Sequence, residues 1–111
     1  MNSNSQDTSN EYRVTPADIQ NLLMGEGGVD LRTVNQGGKT SMRIIGVKPG
    51  TTAARLGAQN DDTIEAINDV PAGGSSAMST WTQMAMTEKR LVLRGTRGGQ
   101  PRTTVLIIEG R

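Results

Sequence analysis

Residues 44–58, IIGVKPGTTAARLGA, decide the fold together with residues 60–69, NDDTIEAIND. They predict a strand, a Pro-Gly turn, one short helix that ends at Gly57, a tight turn and a second strand. Asn68-Asp69 can adopt left-handed conformations, so another tight turn is predicted after the second strand. The two runs therefore place a short helix between two strands.

Composition limits the chain to one small domain and argues against several kinds of partner. The 111 residues carry 12 Lys and Arg against 11 Asp and Glu. A net charge of +1 gives no broad electrostatic reason to bind nucleic acid or an anionic membrane, so the predicted partner is a protein. No apolar run approaches the roughly 20 residues that cross a bilayer, and no signal peptide is visible.

The beginning of the chain predicts a leader followed by a capped helix. Residues 1–13 are mostly polar and are predicted as a disordered leader, with the folded domain at residues 14–111. Thr15 is predicted as the N-cap, Pro16 as the first helical residue, and Asp18 falls in the first turn where the helix dipole favours an acid.

The rest of the chain alternates between strands and helices. Strands are predicted at residues 29–34, 42–47, 63–67, 91–93 and 103–108. A one- or two-turn helix is predicted at 52–56, and a helix of about 11 residues is predicted after Ser75 or Ser76 as its N-cap. The apolar positions of the strand at 42–47 shift parity between Ile44 and Ile45, so either both faces are partly covered or a bulge intervenes near Gly46, and the strand is predicted to be central.

Several runs in this order resemble bacterial PDZ domains, in particular the C-terminal PDZ domain of the inner-membrane C component of type II secretion systems. The resemblance depends on the Val14-Thr15-Pro16 start and on residues 42–50 (MRIIGVKPG), 54–60 (ARLGAQN) and 97–101 (RGGQP). It implies an α+β fold: a small, partly open barrel or sandwich of about five strands and two to three helices, in the circularly permuted strand order of bacterial PDZ domains. Asp61 and Asp69 stand where these domains usually have glycine, and Asp tolerates the left-handed conformation.

A PDZ domain binds an extended peptide along a strand edge, beside a helix and below a carboxylate-binding loop. The resemblance assigns the edge to residues 42–47, the helix wall to the second long helix, and the loop to residues 37–41, where Lys39 can attract an anion. Ser41 to Ile44 occupy the carboxylate-loop position, with Arg43 where a standard domain has glycine. The predicted partner-binding residues are Lys39, Ser41, Met42, Arg43, Ile44, Ile45, Gly46, Val47, Ala77, Trp81 and Met84.

Simpler interpretations compete with these assignments. Met42, Ile44 and Ile45 taken singly are typical core residues, and Lys39 is typical of a solvated loop charge. Trp81, the single tryptophan, could either fill the core or line an exposed groove.

The predicted function is binding without catalysis. The chain has no histidine and no cysteine, so the usual bases, nucleophiles and metal ligands are missing, and no cofactor or metal is predicted. The secretion resemblance implies a periplasmic domain that is tethered to the inner membrane by a segment outside this sequence, and that recruits exoproteins or couples parts of the machine. The alternative is a regulatory PDZ domain of a periplasmic HtrA-like or intramembrane protease, which would bind C-terminal tails. A structural oligomerisation domain is a third interpretation.

Overall fold

The computed structural model describes residues 8–23, 30–73 and 76–110. Within these ranges the elements are β1 Thr8–Val14, α1 Pro16–Leu23, β2 Asp30–Gln36, β3 Lys39–Ile45, α2 Thr52–Arg55, β4 Thr63–Ile67, β5 Val70–Pro71, α3 Ala77–Thr87, β6 Arg90–Arg97 and β7 Gln100–Ile108. None of the three helices in these ranges is long and apolar enough to cross a membrane.

All seven strands belong to one mixed sheet with the order β1-β7-β6-β4-β3-β2, and β5 pairs with β4. Among the strand pairs of the described residues, β1–β7 is the only parallel one, and the others are antiparallel. This is an open α+β architecture with β1 and β2 at its two edges. It has two strands more than the five predicted, because β1 and the short β5 carry little hydrophobic signal of their own.

The predicted leader is wrong for residues 8–13, which form most of β1. Seven residues of β1 pair in parallel with β7, from Thr8 opposite Arg102 to Val14 opposite Ile108. The Glu109 N–H also donates to the Val14 carbonyl at 2.8 Å. A polar segment with little strand propensity of its own is thus ordered by pairing with a strand more than 90 positions away. Composition alone cannot reveal such a long-range pairing. The rest of the predicted leader, residues 1–7, lies outside the described residues.

The start of α1 agrees with the prediction. The Thr15 hydroxyl accepts from the Asp18 N–H at 3.1 Å, and the Asp18 carboxylate accepts from the Thr15 N–H at 3.1 Å. This reciprocal pair is a capping box in which aspartate takes the place of the usual glutamate. Arg55 at the end of α2 donates to the same carboxylate at 3.0 Å and so ties α2 to α1.

Two hydrophobic clusters lie between the helices and the inner face of the sheet. The larger one contains Val14, Ile19, Ala85, Leu91, Leu106 and Ile108. The smaller one joins Met42, Ala72 and Trp81, and the Trp81 indole N–H donates to the Val70 carbonyl at 2.9 Å. The hydrogen bond satisfies the one polar atom of the indole, so Trp81 can be 4% exposed at little cost.

The turns adopt the conformations that the sequence predicts. Asp61, Asn68 and Asp69 have φ of 71°, 48° and 67°, so all three are left-handed. Gly57 ends α2 with φ +81° and donates its N–H to the Ala54 carbonyl at 3.0 Å. The helix of about 11 residues is α3, which has 11 residues and Ser76 at its N-cap.

Candidate binding groove

The strand β2 forms an open edge of the sheet. It pairs with β3 along seven residues and with no other strand of the described chain. Six of its seven residues are exposed. An edge strand offers every second N–H and C=O to a further strand, which makes it a site for strand addition or a liability for aggregation.

Leu31 presents both its backbone and its side chain to this edge region. It lies opposite Ile44 in β3, but the Ile44 N–H donates to the Asp62 carbonyl and its carbonyl accepts from the Asp61 N–H, each at 2.8 Å. The backbone N–H and C=O of Ile44 thus both point away from β2. Leu31 and Ile44 are therefore a non-hydrogen-bonded pair. The backbone groups of Leu31 therefore point outward, and by alternation so do those of Thr33.

An apolar cavity of about 210 Å³ lies beneath the same edge. Its wall includes Ile19 and Leu22 of α1, Leu31 of β2, Ile44 of β3, and Trp81 and Ala85 of α3. Leu31 is 42% exposed and lies at its rim, with the exposed residue Thr82 of α3 also in the wall. The open edge and the cavity together form the binding groove, defined here as the space between β2 and α3.

The size of the cavity favours an apolar occupant. An apolar cavity on the order of 150 Å³ stays dry and can hold a benzene-sized molecule. A ligand side chain or acyl chain that enters the cavity would remove apolar surface of both molecules from water, at about 25 cal/mol per Å².

A partly buried ion pair between Arg97 and Asp62 forms part of the cavity wall. Arg97 Nε donates to Asp62 Oδ1 at 2.8 Å and Nη2 donates to Oδ2 at 2.7 Å, while Nη2 also donates to the Gly57 carbonyl at 2.6 Å. The hydrogen bond to Asp62 raises the pKa of the Arg97 guanidinium. The pair fixes the loop after α2 to β6 and so holds the cavity wall in place.

The helix residues predicted to bind a partner lie on the inner face of α3. Ala77 and Trp81 are buried, and Met84 is partly buried against both hydrophobic clusters. Of the three, Trp81 lines the cavity. Trp81 is thus a core residue that also lines the cavity, and a partner contact by Ala77, Trp81 or Met84 stays a prediction.

The prediction that residues 42–47 offer a free strand edge is wrong. Met42 to Ile45 belong to β3, which lies inside the sheet between β2 and β4. Met42 and Ile44 are buried and face the helices, and Ile44 lines the cavity. The sequence shows that this strand is central, and a central strand has no unpaired edge.

The predicted carboxylate-binding loop at residues 37–41 is also wrong. Gly37 and Gly38, with φ of 56° and 79°, form a two-residue hairpin turn, so Lys39 and Ser41 already lie in β3. Backbone groups in a paired strand cannot converge on a carboxylate. A partner contact by Lys39, Ser41, Arg43, Ile45, Gly46 or Val47 stays a prediction, and the Val47 N–H already donates to Asn60 Oδ1 at 2.8 Å.

Sequence reasoning missed the residues that frame the groove. Leu31 stands between Asp30 and Arg32 in a predicted strand, and Leu22 stands three residues after Ile19, a spacing that puts both on one face of α1. The sequence pattern therefore indicates that Leu22 and Leu31 are apolar positions of a helix and a strand. The order of the strands in the sheet, which makes β2 an edge, depends on long-range pairing that a single sequence does not show.

Solved structures with this architecture are PDZ domains. The PDZ domain of EpsC from Vibrio cholerae superimposes with a TM-score of 0.63 at 22% identity, over 83% of this chain and 89% of that one. The PDZ domain of the pullulanase C protein of the type II secretion system of Klebsiella pneumoniae, in complex with fatty acid, gives 0.58 at 20% identity, over 80% and 90%. The dmPar3 PDZ1 domain in complex with the dmPar6 PBM gives 0.52 at 24% identity, over 65% and 81%.

These likenesses establish that the chain has a PDZ fold. No protein-family model and no curated protein matches the sequence, so the assignment depends on the structure. The predicted α+β PDZ architecture is confirmed, and so, at the level of the fold, is the resemblance to the PDZ domain of type II secretion components.

Proposed function

We propose that this chain is a non-catalytic protein-binding module that takes an extended partner segment as an additional strand on β2. The main support for this proposal is the position of Leu31. Its backbone groups face the open edge of β2, and its side chain lines the apolar cavity. Main-chain hydrogen bonds supply affinity in this mode, and a pocket for alternate side chains supplies selectivity.

We further propose that the module belongs to a type II secretion inner-membrane component and works in the periplasm, where it recruits exoproteins or couples parts of the machine. The EpsC and pullulanase C domains with the same fold support this assignment. The fatty acid bound by the pullulanase C domain supports an apolar group as part of the ligand for this chain as well. Tethering to the inner membrane would come from a segment outside this sequence.

Amide shift perturbation of the labelled domain tests the proposal. The titrants are free-acid peptides, the same peptides amidated, and folded candidate exoproteins. Binding in the groove predicts shifts along β2 and on the residues of α3 that line the cavity. Leu31→Lys places a charge at the cavity rim and should abolish these shifts.

Gln100→Lys is the matched control, since it introduces the same charge at an exposed position of β7, which three strands separate from β2. It should leave binding unchanged. Equal loss in both variants, or shifts confined to surfaces away from β2, would contradict the proposed groove. Binding that disappears on amidation would favour the protease-type reader of C-terminal tails, whereas concentration-dependent association without any ligand would favour an oligomerisation domain.

A further inference from the structure

Two arginines lie directly opposite each other on the outer face of β2 and β3. Arg32 pairs with Arg43 in the antiparallel register, one residue away from the Leu31–Ile44 pair. Because Leu31 and Ile44 form a non-hydrogen-bonded pair, Arg32 and Arg43 form a hydrogen-bonded pair, with Cα atoms about 5.5 Å apart. Their side chains share the face away from the cavity, and like charges in this position destabilise a sheet.

Neither guanidinium is neutralised by the part of the chain that the structure describes. No carboxylate of residues 8–23, 30–73 or 76–110 forms an ion pair with Arg32 or Arg43 within 4 Å. Arg43 Nε is buried and has no hydrogen-bond partner there. Asp30 stands on the same face of the hairpin without an ion pair to either arginine, and Lys39 adds a further positive charge to this face. The outer face beside the groove thus has positive charge that lacks an acceptor.

A strand added to β2 would bring its own side chains to this face. Leu31 and Thr33 would exchange hydrogen bonds with ligand residues that point inward, toward the cavity. The ligand residue between those two would lie across from Arg32 in a non-hydrogen-bonded pair, where Cα atoms approach to about 4.5 Å and side chains are closest. Its side chain would point to the same outer face as the two guanidinium groups.

We propose that the partner segment carries an aspartate or glutamate at this position, between two residues whose side chains face the cavity. This inference rests on the proposed strand addition. Arg32 is exposed at the sheet edge and makes the contact through charge-assisted hydrogen bonds. Arg43 is a positioning residue: it lies between Arg32 and Thr63 in the sheet, and repulsion from its charge directs Arg32 toward the open edge.

Selection from a random eight-residue peptide display library tests the inference. Wild type and Arg32→Glu are used as baits, and the selected sequences are aligned on their alternating apolar positions. We expect wild type to enrich an acid between two apolar residues, and Arg32→Glu to enrich Lys or Arg there. Synthetic wild-type binders with Glu changed to Gln should bind about three- to five-fold more weakly, and those with Lys weaker still.

Matched variants separate a specific contact from a change in net charge. Arg90→Glu alters the charge equally at an exposed position of β6 and should keep the acidic preference. Arg43→Gln should reduce the Glu-to-Gln ratio without reversing the preference. Selection of apolar peptides without acid enrichment would overturn this inference and leave strand addition standing, whereas the absence of any selected binder would count against both.

Discussion

Arg97 donates two parallel hydrogen bonds, of 2.8 and 2.7 Å, to the carboxylate of Asp62. This pair joins the loop before β4 to the end of β6. The side chain of Asp62 is 9% exposed and that of Arg97 is 28% exposed. Asp62 also accepts the Gln59 N–H at 3.0 Å. One nearly buried carboxylate therefore accepts hydrogen bonds from a partly exposed guanidinium and from a loop amide at once.

Asp62→Ala should lower the free energy of unfolding by about 2 to 3 kcal/mol. Breaking a buried pair typically costs about 3 to 5 kcal/mol because the remaining charge is uncompensated, and the partial exposure of Arg97 reduces that cost. Urea unfolding followed by the fluorescence of Trp81, the single tryptophan, measures the change.

The control for this prediction is Glu109→Gln, which removes the exposed pair with Arg13 and should change stability by at most about 0.5 kcal/mol. A double-mutant cycle with Arg97→Ala should show strong coupling, because the two residues share one interaction. Simple additivity of the two single variants would contradict the role given to the pair.

Gly95→Ala should destabilise the fold by about 3 kcal/mol or more. Gly95 in β6 lies opposite Ile64 in β4, next to a register shift between Ile64 and Ala66. A Cβ at Gly95 would collide with the Thr63 carbonyl oxygen and lie 2.6 Å from the Thr63 carbonyl carbon. Backbone in a central strand cannot move aside cheaply, so overpacking is severe. Thermal unfolding by circular dichroism would show the loss.

Gly73→Ala serves as the comparison. A Cβ at Gly73 meets only the Thr40 side chain at 3.7 Å, which is ordinary contact, and the residue has no positive φ. This variant should unfold within a few degrees of wild type. A similar loss in both variants would mean that the close approach at Gly95 is not the cause.

Acid should weaken the fold partly through Asp18. The hydrogen bond from the Thr15 N–H, aided by Arg55, holds the pKa of Asp18 below its ordinary value. A pKa that is lower in the folded state gives stability that is present above the unfolded pKa of about 4 and is lost as the pH falls through the folded pKa.

Asp18→Asn should therefore be less stable than wild type at pH 7, and the difference should shrink below about pH 4. Urea unfolding midpoints between pH 7 and pH 2.5 measure this convergence. Thr15→Ala removes the other half of the capping box and should lower the free energy of unfolding by about 1 kcal/mol. The threonine hydroxyl does not titrate in this pH range, so its own contribution to stability should change little with pH. A difference between wild type and Asp18→Asn that stays constant down to pH 2.5 would contradict the assignment.

The elements that local chemistry controls could be predicted from the sequence. Thr15 and Asp18 cap α1 as their spacing indicates, Gly57 ends α2, and Asp61 and Asp69 adopt the left-handed turns. Each of these features depends on residues a few positions apart.

The features that define the groove depend on distant partners and could not be predicted. The strand β1 is held by β7, and the edge position of β2 follows from the order of strands in the sheet. A strand that is buried on one face has the same sequence pattern whether it lies at the edge or in the centre of a sheet. The sequence therefore predicts the edge at Met42 and its neighbours instead of at Leu31.

Amide hydrogen exchange along β2 tests the central claim most directly, first on the free protein and then with the tightest selected peptide. In the free protein, Arg32 and Val34 should be protected by β3, while Leu31 and Thr33 exchange rapidly. Addition of the peptide should protect Leu31 and Thr33 and leave Arg32 and Val34 little changed. Bound peptide without any new protection at Leu31 and Thr33 would show that the partner does not add to this edge.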